Sequence, residues 1–182
     1  MIMLLCSILY GDPRYLGGGF FRGDGSRGFT KDDPNYEEYD TKGITIKVGR
    51  DVREISLSLI DTQTAEGKNV MMFGADMSVI LMLDETHKSL FNPFLSIGVG
   101  IYGIDGSTLA DGSEDNAKEA TTVNGSLGFF VRLSKHFELE ARMNGKFFLW
   151  DTSTNKTGEN AVREADSMTN YYVGLNWYFK TK

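Results

Sequence analysis

Apolar and polar residues alternate along most of this chain with a period of two. Between Leu95 and Ile101, every second residue is leucine, isoleucine or valine, and the residues between them are serine or glycine. Successive side chains of a β-strand point to opposite faces, so this alternation is typical of a strand with one apolar and one polar face. Eight such runs predict eight strands: Tyr15–Arg22, Gly43–Arg50, Ile55–Asp61, Met71–Leu83, Pro93–Gly103, Thr122–Leu133, Phe137–Trp150 and Met168–Phe179.

The links between the predicted strands alternate in length. Those after the second, fourth and sixth strands are short: 51–54, 84–92 and 134–136. Those after the first, third, fifth and seventh strands are mostly longer and polar: 23–42, 62–70, 104–121 and 151–167. In an up-and-down barrel, every second link lies at the same end. Outer-membrane barrels have short turns in the periplasm and long loops outside, so the pattern predicts a barrel of this kind with both termini in the periplasm.

The last predicted strand is the most specific segment of the sequence. It alternates apolar residues and ends on an aromatic one, namely at Tyr171, Val173, Leu175, Trp177 and Phe179. With this strand, the chain from Tyr15 to Phe179 resembles the small eight-stranded outer-membrane barrels of the OmpA and OmpX type. The resemblance implies an all-β fold, a closed antiparallel up-and-down eight-stranded transmembrane β-barrel in the bacterial outer membrane. It also implies that the barrel-assembly machinery is a partner that reads the last strand.

The N-terminal segment Met1–Tyr10 is almost entirely apolar and resembles the hydrophobic part of a secretory signal. We therefore expect residues 1–13 to be the remnant of an export signal and residues 14–182 to form the outer-membrane barrel. The alternative is that this segment extends the first strand. No run of the sequence approaches the roughly 20 continuous apolar residues that a membrane helix needs.

A soluble lipocalin-like barrel is the competing fold, because it also has eight strands but points its apolar face inward. The polar positions here are mainly Gly, Ser, Thr and Asn, which fit a narrow lumen better than the charged surface of a soluble protein. Aromatic residues also occur near the predicted strand ends, where membrane barrels have aromatic girdles. These residues are Phe21, Phe91, Phe137, Phe147, Trp177 and Phe179. Both features favour an apolar face that contacts lipid.

Charged residues of both signs fall on the predicted inward face: Lys47, Asp76, Arg132, Glu138, Glu140, Arg142 and Lys146. An isolated buried charge is very costly, so we expect these side chains to pair. Arg132 and Glu138 flank the tight turn at 134–136 and are expected to lie opposite each other. Eight strands enclose just enough room for side chains, so the charges predict a plug of salt bridges. The alternative is a path for ions.

The remaining features bear on function. The net charge of −6 and the lack of a basic patch exclude nucleic acid as a partner. His87 and His136 both fall in predicted turns, and no catalytic triad, metal-ligand cluster or phosphate-binding loop is present, so no enzyme activity, metal or cofactor is predicted.

The sequence therefore predicts a structural outer-membrane barrel surrounded by membrane lipid. Its long acidic loops would contact lipopolysaccharide, a host or a phage. Two further functions stay open, a narrow passive pore for ions or small solutes and a lipid-modifying outer-membrane enzyme.

Overall fold

The computed structural model describes residues 14–27, 37–50, 52–64, 69–84, 88–104, 119–151 and 164–179. These residues form eight strands: β1 (Tyr15–Arg27), β2 (Glu37–Arg50), β3 (Arg53–Thr64), β4 (Asn69–Met82), β5 (Phe91–Ile104), β6 (Glu119–Arg132), β7 (Phe137–Asp151) and β8 (Glu164–Tyr178). Neighbours in sequence pair antiparallel, and β1 pairs with β8 to close the barrel. The predicted fold class, strand number and strand order are confirmed. The export-signal segment 1–13 lies outside the described residues.

The strands are longer than predicted, chiefly at the end of the barrel that has the long loops. β1 continues past Arg22 to Arg27 and pairs there with Glu37–Thr41 of β2, so much of the predicted loop 23–42 is strand. The same extension is seen at 62–64, 119–121 and 164–167. The backbone ladder needs no apolar side chains, so it continues after the outward face has become polar. The alternation thus marks the apolar band of the barrel and not the ends of its strands.

The barrel closes with a stagger between its first and last strands. Paired positions followed from Tyr15 around the barrel reach Met168 on β8. Tyr15 itself, however, pairs with Tyr178, ten residues further along β8 (178 minus 168). A stagger of this kind requires strands that are tilted relative to the barrel axis, and with eight strands it leaves a lumen that side chains can fill.

The two faces of the barrel follow the alternation of the sequence. Large apolar side chains are exposed on the outside of all eight strands, as in the β8 series Tyr171, Val173, Leu175 and Trp177, which continues at Phe179. The intervening residues of β8, such as Tyr172 and Asn176, are buried inside the barrel. This exterior is the reverse of the soluble lipocalin-like alternative. In the described residues, no helix is long and apolar enough to cross a bilayer.

One residue predicted for the aromatic girdle is placed wrongly by the sequence. Phe21 points into the lumen and is 7% exposed, whereas its neighbour Phe20 is 74% exposed on the outside. The run of glycines at 17–19 hides the alternation of β1, so the sequence does not show which phenylalanine faces outward. Four of the other residues predicted for the girdle are well exposed and lie at the end of the barrel with the short turns, which we call the turn end: Phe91, Phe137, Trp177 and Phe179.

Glycine is required at some strand positions and not at others. A Cβ atom at Gly19 would collide with the backbone of Val173 and Gly174, whereas at Gly145 the nearest atom would be 4.0 Å away. We expect Gly19→Ala to lower the free energy of unfolding by about 1–3 kcal/mol, as overpacking does, and Gly145→Ala to leave it nearly unchanged. The urea midpoint of the folded barrel in detergent measures both. Equal midpoints for the two variants would contradict the pairing of β1 with β8.

Candidate functional site in the barrel lumen

The lumen contains a charged middle between two apolar clusters. The cluster toward the loop end consists of Phe21, Ile60, Met72, Tyr102, Ala120, Phe148, Met168 and Tyr172. The cluster toward the turn end consists of Ile80, Phe94 and Phe130, with the two phenylalanine rings stacked at a centroid distance of 4.5 Å. Charged side chains between such layers are removed from water, so their partners decide whether the arrangement is stable.

Four charged residues form the larger ion cluster, which we call the Glu140 cluster: Lys47, Glu54, Glu140 and Arg142. Lys47 Nζ pairs with Glu140 and lies 3.1 Å from Glu54 Oε2. Arg142 Nη2 donates a hydrogen bond to Glu54 Oε1 at 2.8 Å, and its Nε pairs with Glu140. Each carboxylate therefore contacts both cations, and the four formal charges cancel. The side chains of Lys47 and Glu140 are both 0% exposed.

Neutral groups complete the surroundings of the Glu140 cluster. The Tyr15 hydroxyl donates to Glu54 Oε2 at 2.8 Å, and Asn176 Nδ2 donates to Glu140 Oε2 at 3.0 Å. The Arg142 guanidinium lies 5.2 Å from the ring centre of Tyr172 and 5.6 Å from that of Phe94. Aromatic faces attract cations at such distances, most strongly where water is excluded. Arg142 therefore links the charged middle of the lumen to both apolar clusters.

A second set of contacts, the Asp76 cluster, surrounds one carboxylate: Asp76, Tyr102, Thr122, Asn124 and Lys146. Lys146 Nζ pairs with Asp76 and donates to the Tyr102 hydroxyl at 2.5 Å. Tyr102 in turn donates to Asp76 Oδ2 at 2.5 Å, and Asn124 Nδ2 donates to Asp76 Oδ1 at 2.8 Å. This cluster is also neutral overall, because its one carboxylate is matched by one ammonium group.

The structure thus distributes the seven predicted lumen residues over three places. Five belong to the Glu140 and Asp76 clusters, and the other two, Arg132 and Glu138, lie at the turn end directly opposite each other in the β6–β7 register. Glu138 is buried and accepts a hydrogen bond from the Tyr178 hydroxyl at 2.6 Å. Arg132 Nε donates to the carbonyl oxygen of Ser134 at 3.3 Å.

Glu54 contacts both cations of the Glu140 cluster and is absent from the residues predicted for the lumen. The pattern placed this residue in the turn link 51–54, but it belongs to β3 and is 2% exposed. The signal was available, because Glu54 has the same parity as Ser56 and Ser58 on the inward face. A carboxylate beside a turn is usually solvated, however, and only the partners on β2 and β7 show that this one is not.

A small polar cavity lies beside the two ion clusters. Its volume is about 40 Å³, and its lining includes Glu54, Asp76, Arg142 and Lys146 together with serine and asparagine side chains. One water molecule needs at least about 10–15 Å³, so the cavity has room for a few water molecules and not for a solute.

The described residues include no group of three or more His, Cys, Asp or Glu placed to hold a metal ion. His136 is exposed at the β6–β7 turn, and its Nδ1 lies 3.0 Å from the carbonyl oxygen of Tyr178. This contact fastens the turn to the end of β8. His87 lies outside the described residues.

The fold is similar to that of known small outer-membrane barrels. Neisserial surface protein A aligns with a TM-score of 0.59 and 10% identity, covering 91% of this chain and 96% of that one. The outer membrane protein OprG of Pseudomonas aeruginosa aligns with a TM-score of 0.52 and 13% identity, covering 93% and 97%. No family model and no curated protein matches the sequence. The chain therefore has the fold of the small eight-stranded outer-membrane barrels.

The buried ion pairs give a stability prediction. Glu140→Gln leaves the buried cations Lys47 and Arg142 with a single carboxylate, so we expect it to lower the free energy of unfolding by about 3–5 kcal/mol. Adding Lys47→Met should cost less than the sum of the two single effects, because the side chains are in contact. Urea unfolding of the barrel in detergent measures these values.

The matched control for Glu140→Gln is Asp61→Asn, which breaks the exposed pair between Lys42 Nζ and Asp61 Oδ2 at 3.2 Å. An exposed pair contributes about 0–1 kcal/mol. A similar loss of stability in Asp61→Asn and Glu140→Gln would show that the lumen is hydrated and that its ion pairs do not support the barrel.

Proposed function

We propose that this protein is a non-catalytic barrel of the bacterial outer membrane that supports the envelope and presents surface loops. Its short turns and both termini would lie in the periplasm, and its long loops outside. The apolar exterior on every strand supports the membrane placement, because only closed barrels and helices satisfy all their backbone groups in lipid. The aromatic side chains Phe91, Phe137, Trp177 and Phe179 at the turn end are suited to the membrane–water interface.

One observation supports a structural role over transport: the four side chains of the Glu140 cluster form ion pairs with one another across the lumen. These side chains join β2, β3 and β7 across the interior. The cavity beside them holds about 40 Å³. An open pathway through this cluster would require Arg142 to leave two carboxylates and two aromatic rings at once. This supports a function at the surface of the barrel.

The proposed surface contacts belong to the long loops. Residues 28–36, 105–118 and 152–163 lie outside the described residues. The first segment contains Asp32 and Asp33, and the second contains Asp105, Asp111, Glu114 and Asp115. We place contacts with lipopolysaccharide, a host or a phage there. The outward residues of β8 from Tyr171 to Phe179 are the proposed signal for the barrel-assembly machinery.

Conductance in planar bilayers tests the closed lumen. The wild-type barrel should show no sustained open channel, whereas Arg142→Ala should raise the conductance, because it removes the side chain that joins the carboxylates to Phe94 and Tyr172. Lys42→Ala, which removes an exposed cation, is the control and should behave like the wild type. A stable and sizeable wild-type channel would contradict the structural role.

A narrow passive pore is the second candidate, and the polar cavity favours it. Serine, asparagine and charged side chains line this cavity beside the ion clusters. A shift of the Arg142 side chain, which is part of the lining, would enlarge the polar space inside the lumen. Brief, cation-dependent openings of the wild-type channel in the same bilayer recordings would support this function.

The depth dependence of charge tests the membrane placement. Leu127 of β6 and Leu133, the residue that follows β6, are 56% and 59% exposed. Leu127 lies midway along the apolar band, and Leu133 lies at its turn end. We expect Leu127→Arg to cost about 2–4 kcal/mol in a lipid bilayer and Leu133→Arg about 0–1 kcal/mol. Urea unfolding in phospholipid vesicles measures both. Similar small effects at the two sites would point to a soluble barrel.

A further inference from the structure

Two apolar grooves on the exterior of the described strands have different ends. The groove nearer the loop end has a volume of about 630 Å³, and Glu119 is the one charged residue among its described lining residues. The other has a volume of about 470 Å³ and runs over β3 to β6, and Arg53 is the one charged residue among its described lining residues. We call the second one the Arg53 groove. Its apolar lining residues are Met77, Val79, Ile97, Val99 and Val123.

Strand register aligns Arg53 with the wall of this groove. Arg53 is the first residue of β3 and lies opposite Val79 of β4, which in turn lies opposite Ile97 of β5. One row of side chains thus runs from a guanidinium group to two β-branched apolar residues. Further from the turn, Val99 and Val123 pair across β5 and β6 and continue the apolar surface. The groove is therefore charged at its turn end and apolar along the rest of its length.

A second arginine lies beside the first one. Arg50, the last residue of β2, is directly opposite Arg53 in the register. Like charges opposite each other on neighbouring strands repel, and an anion placed between them relieves that repulsion. Guanidinium groups have several donors in a planar fork and bind phosphate oxygens in pairs, so two adjacent arginines are suited to a phosphate group.

The apolar part of the groove is suited to a ligand that also carries a hydrocarbon chain. Its walls are well exposed, with Ile97 at 64% and Val99 at 55%, and a depression lets one hydrocarbon chain contact several strands. Burial from water adds nothing here, because lipid tails are as apolar as the walls. Van der Waals contact holds the chain, and the cations select the headgroup.

We propose that the Arg53 groove binds one anionic phospholipid, with its phosphate on Arg50 and Arg53 and one acyl chain along Val79, Ile97 and Val99. The site rests on the proposed membrane placement and lies at the turn end of the barrel, where the apolar exterior meets water. The groove near the loop end does not compete for this ligand, because the charge in its lining is a carboxylate.

Native mass spectrometry of the full chain in detergent tests the headgroup contact. With phosphatidylglycerol, we expect one retained lipid per barrel and weaker retention of phosphatidylcholine. The double variant Arg50→Gln/Arg53→Gln should weaken phosphatidylglycerol binding about tenfold or more, since charge-assisted hydrogen bonds are lost, and should leave phosphatidylcholine unchanged. Lys135→Gln is the matched control, because it removes an exposed cation from the β6–β7 turn at the same end. An equal loss in the control would show unspecific attraction and overturn the site.

A second variant pair tests the acyl chain contact without changing any charge. Val99→Trp fills the groove, whereas Leu127→Trp introduces the same side chain at a site of similar exposure outside it. Only Val99→Trp should abolish lipid retention. Unchanged lipid retention in Val99→Trp would overturn the proposal. If the wild type forms dimers that dissociate in Val99→Trp while lipid binding is unchanged, the occupant of the groove is a second copy of the chain, and the proposal is also overturned.

The two proposals fail in different measurements. If phosphatidylglycerol selectivity is absent while Leu127→Arg is still penalised in vesicles, only the Arg53 groove is wrong. If the penalty at Leu127 is also absent, the membrane placement fails, and the phospholipid site fails with it.

Discussion

Closure of the sheet by the pairing of β1 with β8 is the constraint on which the rest of this molecule depends. A membrane offers no water to unpaired backbone groups, so a sheet that crosses it must have no free edge. Closure also divides the side chains into two sets, one facing outward and one confined to the lumen. Because eight strands make that lumen narrow, every inward side chain has to fit against the others, and every inward charge has to find a partner there.

The lumen is therefore packed like a protein core but has charged side chains at its centre. Its large side chains fit because glycines lie next to them: a Cβ at Gly17 would collide with Asn176 and Lys47, and one at Gly128 with the side chain of Arg142. Removing one charge from such a site leaves another uncompensated. The ion pairs of the Glu140 cluster join β2 and β3 to β7, so the cluster braces strands from opposite sides of the barrel.

The exterior is less uniform than the alternation suggests. On β2 the apolar outward residues run only from Ile44 to Val48, between Lys42 and Arg50, whereas on β4 they run from Met71 past the end of the strand to Leu83. The band of apolar surface is therefore shorter beside β2. Because of this asymmetry, Arg50 and Arg53 lie at the border of a groove whose apolar walls belong to β4, β5 and β6. The proposed sites for the phosphate and for the acyl chain therefore lie next to each other.

The sequence by itself determined the number, order and facing of most strands, because a period of two appears directly in the order of residues. It also indicated that inward charges of both signs must pair. It did not determine that Glu54 joins Lys47 and Arg142, that Phe21 rather than Phe20 points inward, or where the strands end. The facing of Phe21 is hidden by the glycines at 17–19, and the strand ends are hidden because backbone pairing continues past the apolar alternation. The partners of Glu54 depend on the closure of the barrel, because it decides which side chains of distant strands become neighbours.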